Sequence, residues 1–541
     1  MRPASRLGNK ARRLHGLKSL LVCIVFTANL LGIAHPVNAT ALASSSLYLR
    51  DVLPELRASV GANAATTDQY RVEMTFDPAT GSFEGHEQVK AFNPAAKALD
   101  GLTFLLPANA SSASYASATR IESATVDDVP VEHIDDKISM LGAAFDLSVD
   151  GGLATGASVD VDIHFSTRIR PLSDMYSEAG QDWTTQEWAV DDWFPVVANY
   201  DAEQGWLTRD ISASFQVGGK FDYYDVTITT PKAYELISSG SEISAKEKEG
   251  DVAHRIIAGP ARGFALALDT DFRTVSTTVG DTRLNIAIDT YFSGVEDAAL
   301  EMAQSALADY SGRYGVYPFR ELDILIAPWV PAAGIAFSGF VWISQPYKTD
   351  HYEFAVDEND LELIDFDVTI SHEIGHQWWG VSVSSNMMRH DFLVEGLTEC
   401  MAIIHIARAY GATAANKYVR DNSVGLYFDF LSDYDDEAVD QTAIDSPSGA
   451  SPAILYGKAP IALLAVRDEI GPPAFESAIA SYTIDHAFGL TGPADLQNAF
   501  EAASGEDLDD FWNEWIESDD ISRGDVNDLL SDTIFKRDEV V

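Results

Sequence analysis

The sequence predicts an α+β protein of several domains, with an antiparallel β region first and a mainly helical region after it. Apolar residues alternate along short segments between residues 68 and 272, and from about residue 296 they recur with a helical period. The length of 541 residues also exceeds that of one average domain. We therefore expect five divisions, at residues 1–39, 40–67, 68–272, 273–518 and 519–541.

The first 39 residues have the features of a secretory signal peptide. Six basic residues precede the apolar run SLLVCIVFTANLLGIA, and small residues follow it at Val37 and Ala39. Cleavage is expected after Ala39, with Ala41 as the alternative, which predicts an extracytoplasmic protein, either periplasmic or secreted. An uncleaved membrane anchor is the other interpretation, although the run has 16 residues and a membrane span needs about 20. Residues 40–67 are expected to be a leader or linker.

The chain is strongly acidic, since 83 Asp and Glu against 36 Lys and Arg give a formal net charge of −47. Removal of residues 1–39 takes away six basic residues and no acid, so the remaining chain is more acidic still. Such a surface repels nucleic acid and anionic lipid. We therefore expect no nucleic-acid partner, and no stable membrane association after signal cleavage.

Residues 68–272 are expected to form an antiparallel β domain. In YRVEMTF, at residues 70–76, every second residue is apolar, and the turn DPATG leads to the returning segment SFEGHEQVKAF. This pattern predicts a β-hairpin. Further predicted strands are VDVDIHF at residues 159–165 and YDVTITTP at residues 224–231.

Residues 273–518 are expected to be mainly helical. VEDAALEMAQSALADYSGRYG is an amphipathic segment closed by Gly315, and one strand, ELDILIAP, follows it. DVTISHEIGHQWW predicts a helix ending at Gly380, and DFLVEGLTECMAIIHIARAYG predicts another ending near Gly411. A short polar tail occupies residues 519–541.

The segment SHEIGHQWWG at residues 371–380 places His372 and His376 four residues apart around Glu373. Positions i and i+4 of a helix lie on the same face, so both imidazoles would face one point with the carboxylate of Glu373 beside them. The H-E-x-x-H pattern is typical of zinc sites in which the Glu is the general base. A chance match of these few residues is the alternative.

A catalytic zinc ion needs three protein ligands. The candidate for the third is Glu395, which lies 19 residues after His376 on the next predicted helix. Zinc would lower the pKa of a bound water to about 7 and make it a nucleophile, and Glu373 would accept the proton. Glu399, one turn after Glu395, is a candidate to orient a ligand by hydrogen bonding, or else a solvated carboxylate.

These segments resemble the gluzincin zinc aminopeptidases, the family of aminopeptidase N and leukotriene hydrolase. HEIGH, followed by 18 residues and the Glu of VEGLTE, resembles the metal motif. The end of the family's sheet domain resembles FDYYDVTITTPKAYELISSG, and the start of its catalytic domain resembles YGVYPFRELDILIAP. The family's Tyr-x-Lys-Gly helix resembles ILYGKAPIALLAV, and its closing helix resembles DLDDFWNEWI. The order is kept over roughly residues 68–518, and we expect no counterpart of the family's large C-terminal helical domain.

The resemblance implies a β domain over a thermolysin-like zinc-peptidase domain, one Zn²⁺ per chain, and peptide substrates. It makes His372, His376 and Glu395 the zinc ligands and Glu373 the general base. It also assigns to Tyr456 the hydroxyl that stabilises the oxyanion of the reaction.

One position departs from the family pattern. Ala336, in AAGIAFSGFVWIS, stands where the family's Gly-x-Met-Glu-Asn segment has the Glu that binds the substrate's amino group. Glu187, in DWTTQEWAVDDWFP, lies near a second amino-group anchor of the family and is a candidate to replace that charge. The sequence therefore predicts a zinc aminopeptidase, with a zinc endopeptidase on the same scaffold as the alternative. A non-catalytic peptide-binding module is disfavoured, because a scaffold has no use for Glu373 or Tyr456.

Overall fold

The computed structural model describes residues 47–536, apart from 55, 62–65, 110–117, 140–142, 170–187, 192, 209–219, 293, 328–332, 345–360, 442–451, 520, 522 and 532–533. The signal peptide expected at residues 1–39 and the candidate anchor Glu187 lie outside the described residues. Within the described part of the chain, no helix is long and apolar enough to cross a membrane.

The largest sheet has eight strands and comes from the N-terminal half of the chain. The predicted hairpin is confirmed: the strands Gln69–Asp77 and Ser82–Phe92 pair antiparallel, with Tyr70 opposite Val89. Alternate residues of the first strand are buried, as the period of two requires. In spatial order the strands are Ser241–Lys248, Asp251–Ala261, Asp222–Pro231, Gln69–Asp77, Ser82–Phe92, Ser158–Arg168, Ala118–Val126 and Val129–Pro130.

This sheet is mixed, whereas the sequence predicts an antiparallel one. Gln69–Asp77 pairs parallel with Asp222–Pro231, and the other neighbouring pairs are antiparallel. Parallel strands need a long connection between them, which here is most of the β region. No local turn signal in the sequence therefore predicts this pairing. Smaller sheets complete this half. One contains the strands Glu235–Ser238, Ala265–Asp269 and Trp188–Asp191, and another contains Ala144–Leu153, Leu99–Leu105 and Val196–Val197. A two-stranded sheet is formed by Tyr200–Asp201 and Gly205–Trp206.

A five-stranded sheet opens the second half of the chain. Its order is Arg273–Val279, Thr282–Ile288, Glu321–Ile326, Phe340–Ile343 and Gly334–Phe337. Of these five strands, the sequence predicts only the one at 321–328. The last two strands have four residues each, and apolar runs of that length also fit a buried helix. The edge strand Gly334–Phe337 carries Ala336.

Helices form the rest of the second half and share one apolar core with this sheet. The predicted amphipathic helix is confirmed at Glu296–Tyr314 and ends before Gly315. The other α-helices are Arg57–Val60, Leu361–Gly375, Met387–His390, Glu395–Tyr410, Ala412–Tyr418, Gly425–Asp433, Ala459–Ile470, Pro472–Asp485, Pro493–Ser504, Asp509–Trp512 and Arg523–Ser531. Val419–Val424, Ala453–Lys458 and Asn513–Glu517 are π-helical, and Pro107–Asn109, Ile134–Lys137, Thr290–Phe292 and Asp391–Leu393 are 3₁₀ turns. Val383–Ser385 pairs parallel with Gly489–Thr491.

Candidate metal centre

The helix Leu361–Gly375, here called the motif helix, carries His372 and Glu373. The sequence predicts that it continues to Gly380, but regular helix ends at Gly375 because the chain turns back, with Gly380 at φ +134°. The amide of His376 still donates to the carbonyl of His372 at 3.1 Å. The two imidazoles therefore remain on one face, with ring centroids 4.6 Å apart.

The helix Glu395–Tyr410, here called the glutamate helix, packs against the motif helix and begins at Glu395. Gly375 permits this close approach, because a Cβ there would lie 3.0 Å from the Thr398 side chain. Gly396 permits the close packing of the glutamate helix on another helix, Ala459–Ile470, because a Cβ there would lie 2.6 Å from the Cβ of Ala459. Glu395 is thereby brought over the two histidines.

Three ligand atoms converge where these helices meet. The Nε2 atoms of His372 and His376 lie 3.3 and 3.5 Å from Oε2 of Glu395. Bonds of about 2.0–2.2 Å at tetrahedral angles separate ligand atoms by about 3.3–3.6 Å. All three donor atoms lie within 4.8 Å of one another. The chemistry of the donors and their separations therefore fit a zinc ion.

Hydrogen bonds orient both histidines for this task. Nδ1 of His372 is 2.9 Å from Oε2 of Glu399, and Nδ1 of His376 is 3.0 Å from the carbonyl oxygen of Trp379. Because a carbonyl or a carboxylate only accepts, each Nδ1 carries the proton and each Nε2 presents its lone pair to the centre. The hydroxyl of Tyr418 donates to the other oxygen of Glu399 at 3.0 Å.

Glu373 is buried beside the ligands, and within the described ranges its Oε2 has no hydrogen-bond partner. Burial raises the pKa of this carboxyl, and the neighbouring histidines His376 and His372 act in the opposite direction. Gly334, on the edge strand, covers the carboxylate so closely that a Cβ there would lie 2.5 Å from Oε1. The arrangement holds an unsatisfied base against the centre.

Tyr456 reaches the centre from the π-helical segment Ala453–Lys458. Its hydroxyl donates to Oε2 of Glu395 at 2.8 Å, and its ring centroid lies 5.8 Å from that of His372. Lys458 fixes this segment, because its Nζ donates to Oδ2 of Asp436 at 2.8 Å. The structure thus brings six of the seven predicted site residues together, and the seventh, Glu187, lies outside the described residues.

Sequence reasoning missed three further residues of this region. Tyr418 is one of 20 tyrosines and has no local motif. Asp391 precedes Glu395 by one turn, and burial raises its pKa to about 8, with the charge of Glu395 adding to the effect. Arg262 comes from the β half, and together with Ala336 it lines a pocket that also touches His376.

The comparisons with known proteins agree with this geometry. Residues 298–515 match the model of the peptidase family M1 domain. An M1 zinc metallopeptidase from Deinococcus radiodurans, solved as a mutant, has the same fold: the match has a TM-score of 0.59 and 15% sequence identity, and covers 84% of this chain and 95% of that one. The predicted fold class is thus confirmed.

Two curated relatives extend the likeness in sequence. Tricorn protease-interacting factor F2 of Thermoplasma volcanium is 24% identical over 40% of this chain and 28% of its own length. Aminopeptidase N of Streptomyces lividans is 25% identical over 57% of this chain and 37% of its own length. The chain thus spans about a third of the length of these relatives. The domain match over residues 298–515, the shared fold and the His-His-Glu group together confirm the resemblance to peptidase family M1, the gluzincin aminopeptidase N family.

Proposed function

We propose that this protein is a zinc-dependent aminopeptidase that releases N-terminal residues from peptides. The observation that carries the proposal is the convergence of His372, His376 and Glu395 beside Glu373, whose Oε2 has no hydrogen-bond partner among the described residues. Curated relatives named as aminopeptidases support the choice of reaction. On its N-terminal sequence alone, we propose that the protein is extracytoplasmic.

His372, His376 and Glu395 would hold a zinc ion, which would supply a Lewis acid and lower the pKa of a bound water so that it is nucleophilic at neutral pH. Glu373 then takes the proton of the attacking water and gives it to the leaving amine. Burial favours this role because it raises the pKa of the carboxyl and so strengthens the base. The free Oε2 needs to break no existing hydrogen bond to accept that proton.

Tyr456 is proposed to donate its hydroxyl to the carbonyl oxygen of the scissile bond as negative charge develops there. Its present partner, Oε2 of Glu395, is a ligand atom, so the hydroxyl already lies at the edge of the centre. Glu399 is proposed to hold the ring of His372 in place. Glu187 remains our candidate for the anchor of the substrate's amino group.

The test is digestion of one peptide in two forms, free and N-acetylated, followed by mass spectrometry with and without a zinc chelator. We expect stepwise loss of N-terminal residues from the free form only, and none with the chelator. Internal cuts in both forms would instead show an endopeptidase. The Glu373→Gln variant should retain zinc and lose turnover, and wild-type turnover in it would refute the assigned base.

A further inference from the structure

Arg262 is a buried cation in the wall of the proposed catalytic cleft. The residue follows the strand Asp251–Ala261 and is 7% exposed. Its side chain lines a small pocket whose wall includes His376 and Ala336. A guanidinium group therefore lies in the pocket that contains one of the proposed zinc ligands.

Three contacts hold the guanidinium in one orientation. Nε donates to the carbonyl of Val381 at 2.9 Å, and Nη2 donates to the carbonyl of Gly489 at 3.1 Å. The group also stacks on the ring of Phe221, with its central carbon 3.9 Å from the ring centroid. These contacts use Nε and Nη2, and Nη1 has no hydrogen-bond partner in the described part of the chain.

No acid neutralises this charge within the part of the chain that the structure describes. None of the ion pairs found there includes Arg262. Burial lowers the pKa of Arg262 to about 9, which keeps the group charged at neutral pH. Buried charges are paired as a rule, so a buried guanidinium with no acid among the described residues makes this pocket suited to an anion.

The geometry points to Arg262 as an anion subsite of the cleft that binds a carboxylate of the peptide substrate. This assignment rests on the proposed peptidase function and adds a substrate class to it. The carboxylate comes either from an acidic side chain or from the substrate's C-terminus. Apolar walls at Phe337, Met387 and Val394 exclude water and so strengthen a charge-assisted hydrogen bond to Nη1.

Ala336 is the position that keeps this subsite open. It lines the same pocket, and its methyl group brings no charge to compete for Arg262. A carboxylate introduced there would reach the guanidinium from within the protein and occupy the site that we assign to the substrate. The absence of an acid at residue 336 and the unpaired cation at residue 262 are therefore explained together.

The first experiment uses the zinc-loaded wild-type enzyme and matched tripeptides. The pairs are Xaa-Ala-Ala-amide and Ala-Xaa-Ala-amide, each with Asp against Asn and Glu against Gln, and Ala-Ala-Ala as the free acid against its amide. We expect kcat/KM at least tenfold higher for the charged member of one pair. The pair that responds identifies the source, a side chain or the C-terminus.

Two variants tie the preference to this residue. Arg262→Gln should reduce the ratio of kcat/KM for the charged peptide to kcat/KM for its neutral partner to about one, whereas Lys232→Gln, which removes an exposed cation, should leave that ratio unchanged. If Arg262→Gln does not fold, Ala336→Asp gives the same test, because its carboxylate should abolish the preference by binding Arg262.

Equal hydrolysis of all matched pairs by the wild-type enzyme would overturn the inference and leave Arg262 as a structural clamp between Val381 and Gly489. An equal activation of all peptides by chloride at constant ionic strength would also overturn it, in favour of an inorganic anion. Hydrolysis of none of the peptides would instead remove the proposed function, which is a distinguishable failure.

Discussion

Replacement of Lys458 by Met tests how the protein holds the tyrosine of the site. The Lys458 ammonium is 1% exposed and donates to Oδ2 of Asp436, to the carbonyl of Glu437 at 2.6 Å and to that of Ser518 at 3.1 Å. Removing one partner of a buried pair costs about 3–5 kcal/mol. Asp436 still accepts hydrogen bonds from the Tyr427 hydroxyl and from two amides, so we expect the lower end, about 3 kcal/mol.

Thermal unfolding followed by circular dichroism measures this loss. For a domain of about 150–250 residues, 1 kcal/mol lowers Tm by about 2–4 °C, so the expected decrease is about 6–12 °C. Because Tyr456 lies two residues before Lys458 on the same segment, kcat should fall while the zinc content stays at one ion per chain. The double variant Lys458→Met/Asp436→Asn should recover part of the stability, since it leaves no unpaired charge. A single variant as stable as the wild type, or a double variant no better than the single one, would refute this reasoning.

Three further predictions concern the centre and its support. Glu399→Gln should weaken zinc binding by about 10–100-fold in a chelator competition, because it removes the acceptor that orients His372; unchanged affinity would argue against that role. Tyr456→Phe should lower kcat by about 10²–10³-fold with little change in KM, and a loss confined to KM would contradict the assigned donor. Burial raises the pKa of Asp309, but hydrogen bonding from His405 and the charge of Arg408 outweigh it and hold that pKa well below its usual range. The stability that Asp309 contributes is therefore present above its unfolded pKa of about 3.9 and is lost as the pH falls further. Urea unfolding at pH 5, 4 and 3 should show a steeper loss for the wild type than for Asp309→Asn, and parallel losses would exclude this carboxylate as the cause.

The spacing of apolar residues predicts long helices and strands that face one hydrophobic core along their whole length. The hairpin at 69–92 and the helix Glu296–Tyr314 are of this kind, because each has enough residues for its period to appear. The four-residue strands at 334–337 and 340–343 are too short to show one. The parallel pairing of Gln69–Asp77 with Asp222–Pro231 depends on contacts about 150 residues apart, which no local pattern encodes.

The sequence by itself determined that His372 and His376 face one place with Glu373 beside them, since helical backbone hydrogen bonds fix the spacing of i and i+4. Only the tertiary structure decided what meets them there. Glu395 arrives because its helix packs against the motif helix, where Gly375 leaves room for Thr398. Arg262 comes from the other half of the chain, and its Nη1 has no hydrogen-bond partner among the described residues. Partners that are distant along the chain are selected by packing and burial, so their geometry, and the pocket that they form, exists only in the folded protein.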